Sequence, residues 1–218
     1  MALERPRSAE DHRRILVSLR EDLTRLQRLL DALLTLARAD AREDLLVREP
    51  IDLGELAEQV VEVMRPMADE HVIRLVAQAE RRVVVQGDQA QLMQLLVNLV
   101  DNALKYTPAG GSVAVVVAGD SDQLTARVSV RDTGVGIDPE HLPHVFERFY
   151  RVDPARAGGG VGLGLAISLW IAEVHGGCID VESHPEVGST FTVRLPRDFA
   201  TRPAAPVPAL SRNHKRRT

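Results

Sequence analysis

At 218 residues, 44% hydrophobic and 27% charged, the chain has the size of one or two domains and the composition of an ordinary soluble globular protein. A net charge of −4 makes no general case for nucleic acid. No apolar run approaches the ~18 residues that a membrane span needs, and no segment ahead of the first helix reads as a signal peptide. A single cysteine, Cys178, excludes an intramolecular disulfide and fits a reducing, cytoplasmic setting. Between Gly177 and Ile179 it reads as a small buried strand residue. Aromatics make up only 3% of the chain, so the core must be built from Leu, Val, Ile and Ala.

The elements follow in chain order. Glu4-Arg5-Pro6-Arg7-Ser8 reads as a loop, with Ser8 as a cap. Residues 10–39 then form a long helix. Leu16, Leu19, Leu23, Leu26, Leu30, Leu33 and Ala37 recur at alternating steps of three and four, a heptad seam. Leu29, Leu34 and Leu36 widen the stripe towards a helical bundle. One helix cannot bury this face alone, so residues 10–39 are expected to self-associate. After Leu45 the pattern turns to mixed helix and strand. Leu46–Glu49 is a short strand, and Asp52-x-x-Glu55 opens a helix as an acidic capping box. That helix presents Leu53, Leu56, Val60, Met64 and Met67 on one face.

Val72–Val76 and Val83–Gln86 are short strands. Gln89–Tyr106 is a helix with Leu92, Leu95, Leu96, Leu99 and Ala103 inward, stopped by Pro108, Gly110 and Gly111. Val113–Ala118 and Leu124–Arg131 form a hairpin. Residues 132–161 are rich in Gly, Pro and charge, too long for a plain connection and therefore a functional lid. Gly162–Val174 is a helix, and Ile179–Ser183 and Thr190–Leu195 are closing strands. From Pro196 the pattern is lost. Pro203, Pro206 and Pro208 precede a basic end holding Arg212, Lys215, Arg216 and Arg217, the marks of a disordered tail.

Four segments carry chemistry. On the Leu-rich helix, Asn98 and Asn102 share a face at i, i+4, with Lys105 close by. Amides there are either part of a solvated polar face or ligands, since an amide oxygen suits Mg²⁺, which bridges phosphate oxygens. In Asp132-Thr133-Gly134-Val135-Gly136-Ile137 the Asp is either a simple turn residue or an acceptor for an adenine amine, with glycine letting the backbone approach the base. Phe146-Glu147-Arg148-Phe149-Tyr150-Arg151 concentrates three of the chain's few aromatics, as a local staple or as part of a lid. Gly160-Val161-Gly162-Leu163-Gly164-Leu165 precedes a helix whose N-terminus attracts phosphate. Leu165 stands where a dinucleotide fingerprint needs its third glycine, and no G-x-x-x-x-G-K-[ST] loop is present.

In this order, with Asn98 through Tyr106 first, the four segments resemble the N, G1, F and G2 boxes of sensor histidine kinases, whose ATP-binding fold is shared with gyrase-type ATPases. The resemblance covers residues 4–197. It implies an α+β fold in which a long N-terminal bundle helix is followed by a Bergerat-type ATP-binding sandwich. The domains are then 1–43, the second helix of a dimerisation hairpin; 44–197, the ATP-binding catalytic domain; and 198–218, the tail. The cofactors implied are ATP and Mg²⁺. Asn102 is the Mg²⁺ ligand, Asn98 supports it, Lys105 meets the phosphates and Tyr106 packs on the purine. Asp132 takes the adenine amine, with Gly134 and Gly136 beside it. Gly160, Gly162, Leu163 and Gly164 line the phosphates, and Arg151 reaches the γ-phosphate. Gly188-Ser189-Thr190 matches the last box, with Thr190 near the adenine edge. Val161 stands where the family often has a hydroxyl, which removes one phosphate contact.

By this resemblance the chain transfers the ATP γ-phosphoryl to a histidine, for relay to a response regulator, as the cytoplasmic part of a sensor. Two other readings are a nucleotide-dependent interaction module without kinase turnover and a serine kinase of the anti-sigma type. The helix at 10–39 argues against the last.

The family's phosphoacceptor histidine, followed by an acid and then a proline, has no counterpart among His12, His71, His141, His144, His175, His184 and His214. His12 is followed by Arg13 and Arg14, and the spacing of His141 and His144 lacks a third ligand for a metal. Residues 4–40 resemble the loop and second helix of the hairpin, so the acceptor is expected in trans or upstream. In-line transfer needs the nucleophile within ~3–3.5 Å of the γ-phosphorus. Incubated alone with γ-labelled ATP, the chain is therefore expected to acquire no acid-labile phosphohistidine. Stoichiometric labelling that His12→Gln abolishes would make His12 the acceptor.

Overall fold

In the computed structural model the described residues are 13, 15, 47–79, 82–119, 124–152 and 161–197. Apart from Arg13 and Ile15, both helical, the expected helix over 10–39 lies outside them, as does the tail from residue 198. The elements run β1 (Glu49–Asp52), α1 (Leu53–Glu70), β2 (Arg74–Ala79), β3 (Val84–Gly87), α2 (Gln89–Tyr106) and β4 (Ser112–Gly119). They continue with β5 (Thr125–Asp132), a 3₁₀ turn (Leu142–His144), α3 (Gly164–Val174), β6 (Cys178–His184) and β7 (Gly188–Pro196).

Five strands form one sheet in the order β2-β4-β5-β7-β6. β2 and β4 run parallel and the other neighbours antiparallel. β1 and β3 make a separate antiparallel pair. The helices cover one face: α1 over β2 and β4, α2 over β4 and β5, α3 over β6 and β7. Strand alternation supplies the sheet side of the core. Val113, Val115 and Val117 on β4, Val128 and Val130 on β5, and Phe191, Val193 and Leu195 on β7 are all buried. Leu56, Val60, Leu95, Leu99, Ile167 and Ile171 meet them from the helices. The scarcity of aromatics is thus met by close-packed aliphatic side chains.

Helix α2 falls where its pattern predicts. Other boundaries move for physical reasons. β1 lies at 49–52 because its ladder pairs Glu49 with Gly87 and Asp52 with Val84. β2 begins at Arg74, after Val72 turns the chain with φ +56 and stands exposed. β2 and β4 then pair from Arg74 and Ser112 onward. α3 begins at Gly164, because Gly162 has φ +76, outside the helical region. Cys178 is exposed, not buried. On β6 it is Ile179 that points into the core, so the residue before it points out.

Half of the expected capping box forms. Asp52 accepts from Gly54 N at 2.9 Å, while Glu55 is exposed and makes no hydrogen bond among the described residues. Asp52 also pairs with Arg82. Asp52→Ala is expected to lower stability by about 1 kcal/mol, the usual value of an N-cap, as read from denaturant unfolding.

Candidate functional site

The four sequence segments meet at one end of the sheet, where β5 stops, α2 stops and α3 starts. Their contact begins with α2. Asn98 Nδ2 donates to the Gly164 carbonyl at 3.3 Å, so the first segment touches the last directly. Ser168 Oγ donates to the same carbonyl at 3.0 Å. One turn further along α2, the half-buried Asn102 makes no side-chain hydrogen bond among the described residues. Lys105 is paired with Asp101 across one helical turn. Tyr106 ends the helix 40% exposed, with its ring off the core.

Asp132 ends β5. Alternation puts its side chain on the same inward face as Val128 and Val130, where it is 5% exposed. One oxygen, Oδ1, accepts from Gly134 N at 2.8 Å and from Ser189 N at 3.2 Å. Oδ2 has no partner among the described residues, an open acceptor in a confined place. Burial pushes the carboxyl up from its ordinary value, against the lowering pull of the bonds from Gly134 and Ser189.

The loop after Asp132 is tied at both ends. Val135 N donates to the Tyr106 carbonyl at 3.1 Å, and Ile137 N to Ser183 Oγ at 2.8 Å. Gly136 sits at φ +71, and a Cβ there would lie 2.1 Å from the His184 carbonyl oxygen. No other residue fits that position.

The aromatic segment is anchored by Phe146, whose ring meets Phe191 edge-on at 6.3 Å. Tyr150 OH lies 2.9 Å from His141 Nδ1. Phe149 is 59% exposed at φ +65, held there by its N–H donating to the Gly162 carbonyl at 2.8 Å. Arg151 is half-buried. Leu163 is buried at the N-cap of α3, and Gly160 lies outside the described residues. Among the described residues no group of three His, Cys, Asp or Glu side chains is placed to hold a metal.

Thr190 does not join the site. Its register partners are Arg131 and Glu182, and it alternates with the buried Ser189 and Phe191, so its side chain lies on the sheet face opposite Asp132. The hydroxyl on the correct face is that of Ser189, 2.9 Å from Ser183 Oγ. Ser183 also donates to the Gly188 carbonyl at 3.0 Å. The signal for both serines was available, because counting back in twos from Leu195 and Phe191 lands on Ser189, and counting forward in twos from Ile179 on β6 lands on Ser183.

Comparison with known proteins matches residues 87–198, about half of the chain, to the histidine kinase-, DNA gyrase B- and HSP90-like ATPase family. The chain belongs to this family. Among relatives, it is 38% identical to the sensor protein IrlS of Burkholderia pseudomallei, over 92% of this chain and 43% of that protein. Among solved structures, full-length ShkA in complex with AMPPNP aligns at TM-score 0.77 and 31% identity, covering 93% of this chain and 42% of that one. The mycobacterial sensor histidine kinase MprB aligns at TM-score 0.60 and 34% identity, covering 69% of this chain and 97% of that one. This member of the family therefore spans less than half the length of IrlS. No helix among its described residues is long and apolar enough to cross a membrane.

Within this ATPase fold, burial makes the ionised form of Asp132 costly. A raised folded value means that the ionised form costs the fold above that value, and that the cost disappears as pH falls through it. Asp132→Asn keeps an acceptor for Gly134 and Ser189 without the charge. The variant is expected to melt higher than wild type at pH 7 and to lose the melting shift that adenine nucleotides give. A lower melting temperature, or an undiminished shift, would contradict this account of the carboxylate.

Proposed function

We propose that this chain is the ATP-binding catalytic region of a two-component sensor histidine kinase, active on the cytoplasmic side. It would transfer the ATP γ-phosphoryl to a histidine supplied in trans or upstream, for relay to a response regulator. The observation that carries this reading is the buried Asp132, whose one oxygen takes the Gly134 and Ser189 N–H groups while the other has no partner among the described residues. A carboxylate in that setting suits an adenine amine.

On this reading the chain divides into residues 1–43, half of a self-associating hairpin, the catalytic domain 44–197 and the tail 198–218. Asp132 holds the base, Ser189 and Ser183 fix the loops around it, and Tyr106 covers the purine. The residues present fit Mg²⁺. The Asn102 amide makes no hydrogen bond among the described residues and offers an oxygen of the kind hard cations prefer. Asn98, held by Gly164, orients the neighbouring helical turn. Bound Mg²⁺ would neutralise phosphate charge. Lys105 would exchange Asp101 for phosphate, and Gly162, Leu163 and Gly164 would present backbone at the start of α3. Arg151 would add a positive charge towards the γ-phosphate. Catalysis then rests on positioning and charge neutralisation, with the nucleophile brought in line by the helical hairpin.

Calorimetry should detect AMPPNP binding that depends on Mg²⁺. Asn102→Ala should weaken it roughly ten- to a hundred-fold, the value of one interaction with a charged group. A separate fragment bearing a complete hairpin should become labelled from γ-labelled ATP when this chain is added. Binding without labelling would favour the nucleotide-dependent interaction module. Equal affinity with and without Asn102 would overturn the pocket assignment.

A further inference from the structure

Helices α2 and α3 are fastened at a second place, at the far end from the four segments. His175 caps the end of α3 and is 2% exposed. Its Nδ1 lies 2.7 Å from the Ile171 carbonyl oxygen, and its Nε2 lies 3.0 Å from the Asp88 backbone nitrogen. A carbonyl only accepts and a backbone N–H only donates. The ring is therefore neutral, with its proton on Nδ1 and the lone pair of Nε2 turned to Asp88.

Asp88 is the N-cap of α2, and its carboxylate accepts from Gln91 N at 3.0 Å. Gly87 makes room for the ring, since a Cβ there would lie 2.8 Å from His175 Cδ2. The two helices run antiparallel with cross-links at three levels. Asp88 meets His175, the Ser168 hydroxyl, which donates to Gly164, lies 3.5 Å from the Leu95 carbonyl, and Asn98 meets Gly164. The third link lies in the proposed nucleotide site, and the first joins the same two helices at their other end.

We propose that His175 is a positioning residue for nucleotide binding: neutral, it locks the start of α2 to the end of α3, and protonation of Nε2 releases that lock and loosens the site. This rests on the nucleotide reading above. A protonated ring has two N–H donors, and Nε2–H would then face the Asp88 N–H with no acceptor between them. The cap of α2 would lose its partner inside the protein, where an unmade hydrogen bond is costly.

Several groups act on this proton. Burial, the largest influence, favours the neutral ring and holds it below the ordinary 6.5; the Ile171 bond and the Asp88 charge oppose it, and Arg48, from ahead of β1, assists. Release is therefore expected on the acid side of the usual histidine range.

The test is the affinity for AMPPNP with Mg²⁺, measured by calorimetry between about pH 8 and pH 5.5. Wild type, His175→Gln and His175→Ala are compared, with circular dichroism to show that each is folded at each pH. Gln offers an amide oxygen to Asp88 and does not titrate. At pH 8, Gln should bind within about threefold of wild type and Ala about tenfold more weakly, the worth of one buried hydrogen bond. On acidification wild type should fall towards the Ala affinity, while Gln, which carries no titrating ring, should not show this fall.

Equal binding by Ala and wild type at pH 8, or parallel pH profiles for wild type and Gln, would overturn the role of His175. Where Ala fails to fold, the comparison of wild type with Gln decides. A wild-type chain that binds no nucleotide at pH 8 would overturn the site reading, and this inference with it.

Discussion

The Gly164 carbonyl is the contact on which the rest of the candidate site depends. It accepts the Asn98 amide from α2 and the Ser168 hydroxyl from its own helix. That shared acceptor brings the helix bearing Asn102 and Lys105 against the start of the helix expected to face phosphate. Neither helix has much to gain from polar groups at its interface, since both bury aliphatic faces in the same core. A half-buried amide there is tolerated because it is paired, and its partner is the carbonyl of a glycine, which adds no side chain between the helices.

At the other side of the cleft, a carboxylate is buried at a cost. Asp132 receives two backbone N–H groups on one oxygen, yet burial still outweighs them. A residue selected for stability alone would not be charged there. The surrounding serines serve the same arrangement. Ser183 holds the loop after Asp132 through Ile137 N and the turn before β7 through the Gly188 carbonyl. Both sides of the carboxylate are thus fixed by one hydroxyl.

The aromatic segment is split between anchoring and exposure. Phe146 packs on Phe191, while Phe149 is turned outward in a left-handed conformation that a bulky residue adopts only under constraint. The constraint is its N–H bond to the Gly162 carbonyl, and Gly162 itself leaves no room for a side chain against the Phe149 backbone. This links the aromatic segment to the glycine segment, so that a change at one is felt at the other.

Much of this was legible in the residues alone. Helix α2 followed from its 3.6-residue leucine pattern and its stop at Pro108, both local effects. The four polar and glycine segments were identifiable because Asn on a leucine-rich helix and glycine before a helix are poorly explained by packing. Strand limits were less legible, because a strand begins where its partner allows, as β1 does against β3 and β2 does against β4. Face assignment needed the register: Cys178 points outward beside Ile179, and Ser189 rather than Thr190 reaches Asp132. His175 carried no sequence signal, since Ile171 and Asp88 come together at it only when two helices pack antiparallel. Local chemistry could be read along the chain. Which oxygen stays open, which hydroxyl faces inward and which histidine stays neutral were decided by tertiary packing, because each depends on partners far away in sequence.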